Sequence, residues 1–153
     1  MPIVNTPKLM DARIFLDETM GLESELLGLR LSDRITYDAE RNTLFANFEG
    51  FQVSKISDVE MVRREFERTC QNIGRKVHLI VNYDNFVLAP VVSDAYFSVV
   101  TYLQQRYYET ASRYTTSAFL RLKLGSALAE RNLAPAVFET RSEAHAFAVR
   151  HQL

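Results

Sequence analysis

Cysteine, glycine and long apolar runs are scarce in this chain of 153 residues, and each shortage excludes a class of function. Cys70 is the only cysteine, so the chain forms no internal disulfide and cannot build a structural zinc site from thiolates or a CxxC redox pair. The five glycines form neither GxGxxG nor a P-loop, and there is no GxSxG nucleophile elbow. We therefore expect no phosphate cradle and no hydrolase nucleophile of these types.

The sequence also has no marked excess of one charge and no membrane or secretory signature. No apolar run approaches the ~18 residues that a membrane span needs, and the N-terminus lacks the charged region and apolar stretch of a secretory signal. A net charge of −1 and a pI near 6.3 give no general attraction to nucleic acid or an anionic membrane. These features predict a cytoplasmic protein with neither nucleic acid nor membrane as a partner.

The histidines and strand-end carboxylates do not form a recognisable catalytic or metal-binding pattern. His145 and His151 are six positions apart, which does not place two ligands on one helical face as a spacing of four would. Two carboxylates at one pocket could divide acid and base roles. Asp84, however, has a complete explanation as a turn former. We predict no metal site and no catalytic residue.

The first half of the chain has clear signals for two strands, a helix and a buried strand. Residues in Thr43–Gly50 alternate between apolar and polar types, and Asn42 suits a hairpin that joins this strand to Arg34–Asp38. The sequence Ser57–Glu60 fits a capping box, and Gly74 suits a helix C-terminus. Between them, apolar residues recur at helical spacing: Val59, Val62, Phe66, Cys70 and Ile73.

The second half continues the alternation of helices and strands. A helix follows Ser93-Asp94, and another begins at about Ala118. A capping box at Thr140–Glu143 opens a terminal helix. The predicted short strands are Ser112–Thr116 and Pro135–Glu139. The predicted apolar residues of the last two helices are Phe119, Leu122, Ala127 and Leu128, with Leu120 and Leu124 widening the apolar side of the first, and Ala146, Phe147 and Val149 in the second.

This order, β–β–α–β–α–β–α–β–α, predicts an α/β fold. We expect a mixed sheet of about five strands covered by about four helices, formed as a single domain by residues 34–153. Residues 1–33 are weakly patterned and are interpreted as a linker-like segment.

The candidate site follows from the buried strand Val77–Asn82, because ligands of α/β folds tend to meet the loops at the carboxyl ends of strands. Tyrosine and arginine are favoured where a surface is buried against a partner. The alternative is that the tyrosine rings lie at the core edge with their hydroxyls in water. The predicted interaction or ligand surface consists of Tyr83, Asp84, Asn85, Arg113 and Tyr114.

Several segments, in the expected order, resemble a C-terminal region of bacterial acyl-CoA:acetate/3-ketoacid CoA-transferases. They are Leu9–Phe15, Met20-Gly21-Leu22, Asn42–Gly50, Val81–Phe86 and Arg113–Gly125. The element order also resembles the STAS-like fold of anti-sigma factor antagonists. The resemblance implies a parent enzyme that moves CoA between carboxylates through a glutamyl-CoA thioester.

The chain lacks the glycine-rich GxGGF-type segment and the Ser-Glu-Asn-Gly motif of that catalytic core. We therefore expect an accessory domain that is inactive alone and needs no cofactor, with CoA thioesters as substrates of the parent only. Its expected partner is the transferase core, in the same polypeptide or in a complex, and a homo-oligomer stays open. The chain could be a fragment of the longer enzyme or separately encoded.

Two other functions stay open. One is an independent STAS-like protein-binding regulatory module. The loop Tyr83–Leu88 contains no serine or threonine, so a phosphorylation switch at the usual STAS position is not expected. The other is binding of a small anionic ligand at the same loops, with Arg113 beside backbone amides of a helix start.

Overall fold

The computed structural model describes residues 30–150 of the chain, which form an α/β fold around a mixed sheet. The strands are β1 (Ile35–Asp38), β2 (Thr43–Asn47), β3 (Gln52–Val53), β4 (Val77–Asn82), β5 (Val87–Leu88), β6 (Tyr108–Tyr114) and β7 (Val137–Phe138). The helices are α1 (Ile56–Ile73), α2 (Ser93–Tyr107), α3 (Ala118–Glu130) and α4 (Arg141–Arg150), and a 3-10 turn spans Pro90–Val92.

The main sheet has five strands in the order β1-β2-β4-β6-β7. β1 is antiparallel to β2, as the hairpin prediction required, and the other neighbours are parallel. The predicted α/β class and the mixed five-stranded sheet are therefore confirmed. The sequence did not predict the separate two-stranded parallel sheet of β3 and β5, whose strands are only two residues long.

The main core lies between the sheet and the helices α1 and α2. Leu44, Leu79 and Val81 point from the sheet into it, and the predicted apolar stripe of α1 is buried except for Ile73, which is partly buried. Cys70 lies in that stripe, as predicted, and burial raises the pKa of its thiol to about 11. At neutral pH it is a small apolar side chain rather than a nucleophile.

The start of α1 differs from the prediction. The helix begins at Ile56, and the carboxylate that caps it belongs to Asp58 rather than Glu60. Asp58 Oδ2 accepts from the backbone amides of Ser54 (2.9 Å) and Lys55 (3.2 Å), which satisfies two donors at the helix entry. Glu60 instead pairs with Arg63. The end of α1 is as predicted, since Gly74 has a left-handed φ of 81°.

The start of β6 was also misplaced. The strand begins at Tyr108, directly after α2, and ends at Tyr114, whereas the prediction was Ser112–Thr116. Aromatic Tyr107 and Tyr108 fit both a helix and a strand, so composition did not separate the two elements. Thr115 and Thr116 lie beyond the strand, where they bind the loop after β4.

The inner face of α3 was predicted wrongly in part. Leu124 and Leu128 are buried, but Phe119 and Leu122 are 76% and 73% exposed. Leu124 and Leu128 both belong to the predicted apolar side, so this part of the prediction is confirmed. The i, i+4 pair of buried leucines defines a narrow inner face, and Phe119 and Leu122 fall on the opposite side.

The face of α4 was also assigned wrongly. This helix covers the second face of the sheet through Ala144 and Ala148, while Val149 is exposed. The helix lies so close to β6 that the Ser112 hydroxyl donates to the Ala144 carbonyl at 3.0 Å. Only small side chains fit at such a distance, and this distance between helix and sheet cannot be read from residue spacing.

Most of the predicted segment 1–33 lies outside the described residues. Residues 30–33 are helical, and Leu31 is fully buried in the main core. Between residues 30 and 150, no helix has the length and apolar character needed to cross a membrane. The same part of the chain contains no group of three or more histidine, cysteine, aspartate or glutamate side chains that could hold a metal ion.

Candidate functional site

Asp84 connects the carboxyl ends of two neighbouring strands. Its Oδ1 atom accepts from the Thr116 amide (2.7 Å) and hydroxyl (3.1 Å) and from the Thr115 hydroxyl (3.2 Å). The Thr116 amide, followed by these hydroxyls, holds the pKa of the Asp84 carboxyl below its ordinary range. Asp84 is thus ionised, and its hydrogen bonds connect the loops after β4 and β6. Its lowered pKa makes it a poor general acid or base at neutral pH.

Two asparagines extend this network across the sheet edge. Asn82 donates to the Asn47 side chain at 3.2 Å, joining β4 to β2, and its own Oδ1 accepts from the Asp84 amide at 2.9 Å. The Glu49 amide donates to Asn47 Oδ1 at 3.1 Å. Asn85 turns the chain with a φ of 55°, a conformation that asparagine adopts more readily than most residues. The polar groups of this edge therefore bind mainly one another.

Aromatic packing fixes the underside of the loop that follows β4. The Tyr83 ring lies 4.8 Å from Phe86 and 5.6 Å from Phe48, and Phe86 lies 5.6 Å from Tyr96, all between ring centroids. The hydroxyls of Tyr83 and Tyr96 are 2.5 Å apart, so one donates to the other. This cluster anchors the loop to α2 and leaves only its outer side for contact with another molecule.

The five predicted site residues do not share one surface. Tyr83 and Arg113 are buried, with 2% and 3% exposure, on the side of α1 and α2. Tyr114 is half-buried on the opposite face, against the cluster that contains Ile80. Asp84 is half-buried, and Asn85 is exposed. The side chains of Tyr83 and Arg113 therefore do not contribute to an outer surface, and strand alternation places Arg113 and Tyr114 on opposite faces of the sheet.

Sequence reasoning missed a groove between this loop and α3, which we call the α3 groove. It has a volume of about 320 Å³ and is bounded by Asn85–Leu88 on one side and by Phe119, Leu120 and Lys123 on the other. Phe119 and Val87 line it, and they are 76% and 52% exposed. The groove was missed because Phe119 was assigned to the core, although the spacing of Leu124 and Leu128 could have excluded it.

Comparison of the chain with protein-family models, curated protein sequences and solved structures gave no significant match.

Proposed function

We propose that this chain is a non-catalytic domain that binds a protein partner through the α3 groove. The observation that carries the proposal is the exposure of Phe119 and Leu122, which lie three positions apart on the outer side of α3. Phe119 and Val87 line the groove, and Leu122 lies beside it on the outer side of the helix. Exposed apolar side chains concentrated at one groove are typical of a surface that a partner covers.

The polar groups near the groove support a binding role rather than catalysis. Asp84 is occupied by the two threonines, and Ser117 caps α3 by accepting from the Leu120 amide at 3.1 Å. The groove lining contains one charged residue, Lys123, and no carboxylate. A nucleophile paired with a base, which most covalent catalysis requires, does not occur there.

The partner that we propose is the catalytic core of an acyl-CoA:acetate/3-ketoacid CoA-transferase, in the same polypeptide or in a complex. This choice rests on the resemblance of the sequence segments. Two of those segments, Val81–Phe86 and Arg113–Gly125, contain residues that line the two sides of the α3 groove. The order of helices and strands supports a STAS-like domain, a fold class with known protein-binding members.

Calorimetric titration with the catalytic core of an acyl-CoA:acetate/3-ketoacid CoA-transferase tests this proposal. The wild-type chain should bind the core, and the double variant Phe119→Asp with Leu122→Asp should bind at least about thirtyfold more weakly, because buried aromatic anchors dominate interface energies. Both side chains point into solvent, so the variant should keep the wild-type circular dichroism spectrum and unfolding midpoint.

Val149→Asp is the matched control, because Val149 is 56% exposed on α4, on the other side of the sheet. It introduces one aspartate where the groove variant introduces two, and it should leave the dissociation constant within about twofold of wild type, as expected away from the contact surface. Equal weakening by Val149→Asp and by the groove variant, or no binding of the core by wild type, would overturn the proposal.

A further inference from the structure

A cavity of about 30 Å³ lies in the main core between the sheet and the helices α1 and α2. Eight of its lining side chains are aliphatic or phenylalanine. The other four carry polar groups: Tyr83, Tyr96, Tyr108 and Arg113. The volume is sufficient for about one or two water molecules or an ion of similar size.

Arg113 has no counter-charge in this cavity. Its backbone amide continues the sheet by donating to the Ala136 carbonyl at 2.9 Å, and its side chain is directed among the apolar groups. Within residues 30–150, no carboxylate pairs with the guanidinium and no acceptor is hydrogen-bonded to it. A charge that is 97% buried is costly unless it is paired and hydrogen-bonded.

The cavity is not an ordinary gap in packing, because a charged side chain without a hydrogen-bond partner among residues 30–150 lines it. Throughout the described chain, every fully enclosed side-chain nitrogen or oxygen has a hydrogen-bond partner. Arg113 lines the cavity, and its guanidinium nitrogens have no partner in the described chain, so they are not fully enclosed. They are donors only, so the space favours a group with a negative charge.

The surrounding tyrosines add donors and no negative charge. Burial raises the pKa of Tyr96 and of Tyr108 well above the ordinary range, although the charge of Arg113 acts in the opposite direction on both. Both phenols are therefore protonated at neutral pH and cannot neutralise the guanidinium. In the Tyr83–Tyr96 pair only one hydroxyl donates to the other, which leaves the second proton for a group in the cavity.

We propose that this cavity is a binding site for a small monovalent anion, held by the Arg113 guanidinium and a tyrosine hydroxyl. The volume restricts the ligand to the size of chloride or formate, and a CoA thioester or a nucleotide is far too large. The bound anion neutralises the buried charge and so stabilises the packing of α1 and α2 on the sheet. This site is separate from the α3 groove.

Thermal unfolding in different sodium salts at constant ionic strength tests the site. Relative to sodium gluconate, whose anion cannot enter, sodium chloride or sodium formate should raise the Tm of wild type saturably. The expected shift is about 3–6 °C when the free anion exceeds its Kd tenfold. Arg113→Met fills similar volume without charge, so its Tm should be the same in all three salts. Equal Tm values for wild type in all three salts would overturn the proposal.

Crystals of the wild-type protein grown in sodium bromide give a test that does not depend on a variant. An anomalous bromide peak in the cavity, within hydrogen-bond distance of Arg113, is the expected result. Electron density for water alone in the presence of excess bromide would exclude a halide, and the same crystals grown in sodium formate should then show formate. Water alone in both crystals would contradict the proposal. Tyr96→Phe removes one hydroxyl with the ring in place, and it should weaken the anion response severalfold.

Discussion

Glu67 joins the helices α1 and α2 through one carboxylate. Its Oε2 atom accepts from the hydroxyls of Tyr102 and of Tyr107, the latter at 2.8 Å, while Oε1 accepts from Arg63 at 2.6 Å. The Tyr102 hydroxyl, then that of Tyr107, and the Arg63 charge hold the pKa of Glu67 below its ordinary value of 4.5. The ionised form therefore stabilises the fold above that pH, and the contribution is lost as the pH falls through the lowered pKa.

Glu67→Gln should accordingly lower the free energy of unfolding at pH 7 by about 1–2 kcal/mol, since the amide keeps the shape but loses the charge of the acceptor. The difference from wild type should shrink below pH 4.5 and vanish once Glu67 is protonated in the folded protein. Urea unfolding between pH 7 and pH 3, followed by circular dichroism, measures both quantities.

The matched control for Glu67→Gln is Glu60→Gln. Glu60 lies on the same helix and binds the same Arg63, at 3.1 Å, but its side chain is 49% exposed. Because an exposed ion pair contributes about 0–1 kcal/mol, this variant should be close to wild type at every pH. If Glu67→Gln lowers the free energy of unfolding equally at pH 7 and at pH 3, the charge of Glu67 does not contribute to stability.

At the scale of the element, the start of α4 depends on a reciprocal capping box. Thr140 Oγ1 accepts from the Glu143 amide at 3.2 Å, and Glu143 Oε1 accepts from the Thr140 amide at 3.1 Å. α4 covers the second face of the sheet with only two small buried residues, Ala144 and Ala148, so its cap matters more than that of a helix with a large apolar face.

Thr140→Ala should lower the free energy of unfolding by about 0.5–2 kcal/mol, because one end of the reciprocal cap is lost. Thr140→Ser should retain most of that stability, since it keeps the hydroxyl acceptor. Ser142→Ala is the matched control, as Ser142 is exposed in the same turn and should change stability by less than about 0.5 kcal/mol. Chemical denaturation compares the three, and equal effects of Thr140→Ala and Ser142→Ala would contradict the role of the cap.

The same capping box shows what local sequence can predict. Spacings of three or four residues define the capping box of Thr140 and Glu143 and the apolar stripe of α1, and the sequence displays these spacings directly. Gly74 follows that stripe and has a left-handed φ. The faces of α3 and α4 depend on how closely each helix approaches the sheet. Phe119 is an apolar residue, yet its side chain is exposed. Its exposure depends on the distances between the elements and not on the residue type.

For the molecule as a whole, element order was predictable but the direction of site residues was not. Alternating elements indicated an α/β sheet, and the strands follow one another across it from β1 to β7. The predicted site residues lie near the ends of strands. Closeness to a strand end does not indicate on which side of the sheet a side chain lies. Arg113 and Tyr114 are adjacent in sequence, yet one lines the central cavity and the other packs beneath α4.

The last prediction concerns the chemistry of the isolated chain. Incubation with acetoacetyl-CoA should leave its intact mass unchanged, whereas a complete CoA-transferase acquires a CoA thioester on a glutamate. Neither the cavity in the main core, which Arg113 lines, nor the α3 groove is lined by a glutamate. Within residues 30–150, moreover, Glu67 is held by Arg63 and two tyrosines, and Glu143 caps α4. A carboxylate with these partners is a weak nucleophile, because attack would require it to give up the hydrogen bonds that stabilise its charge. Intact-protein mass spectrometry, with a CoA-transferase as the positive control, makes the comparison. A CoA-linked glutamate mapped by peptide analysis would contradict the proposed non-catalytic role, while leaving the binding test of the α3 groove unaffected.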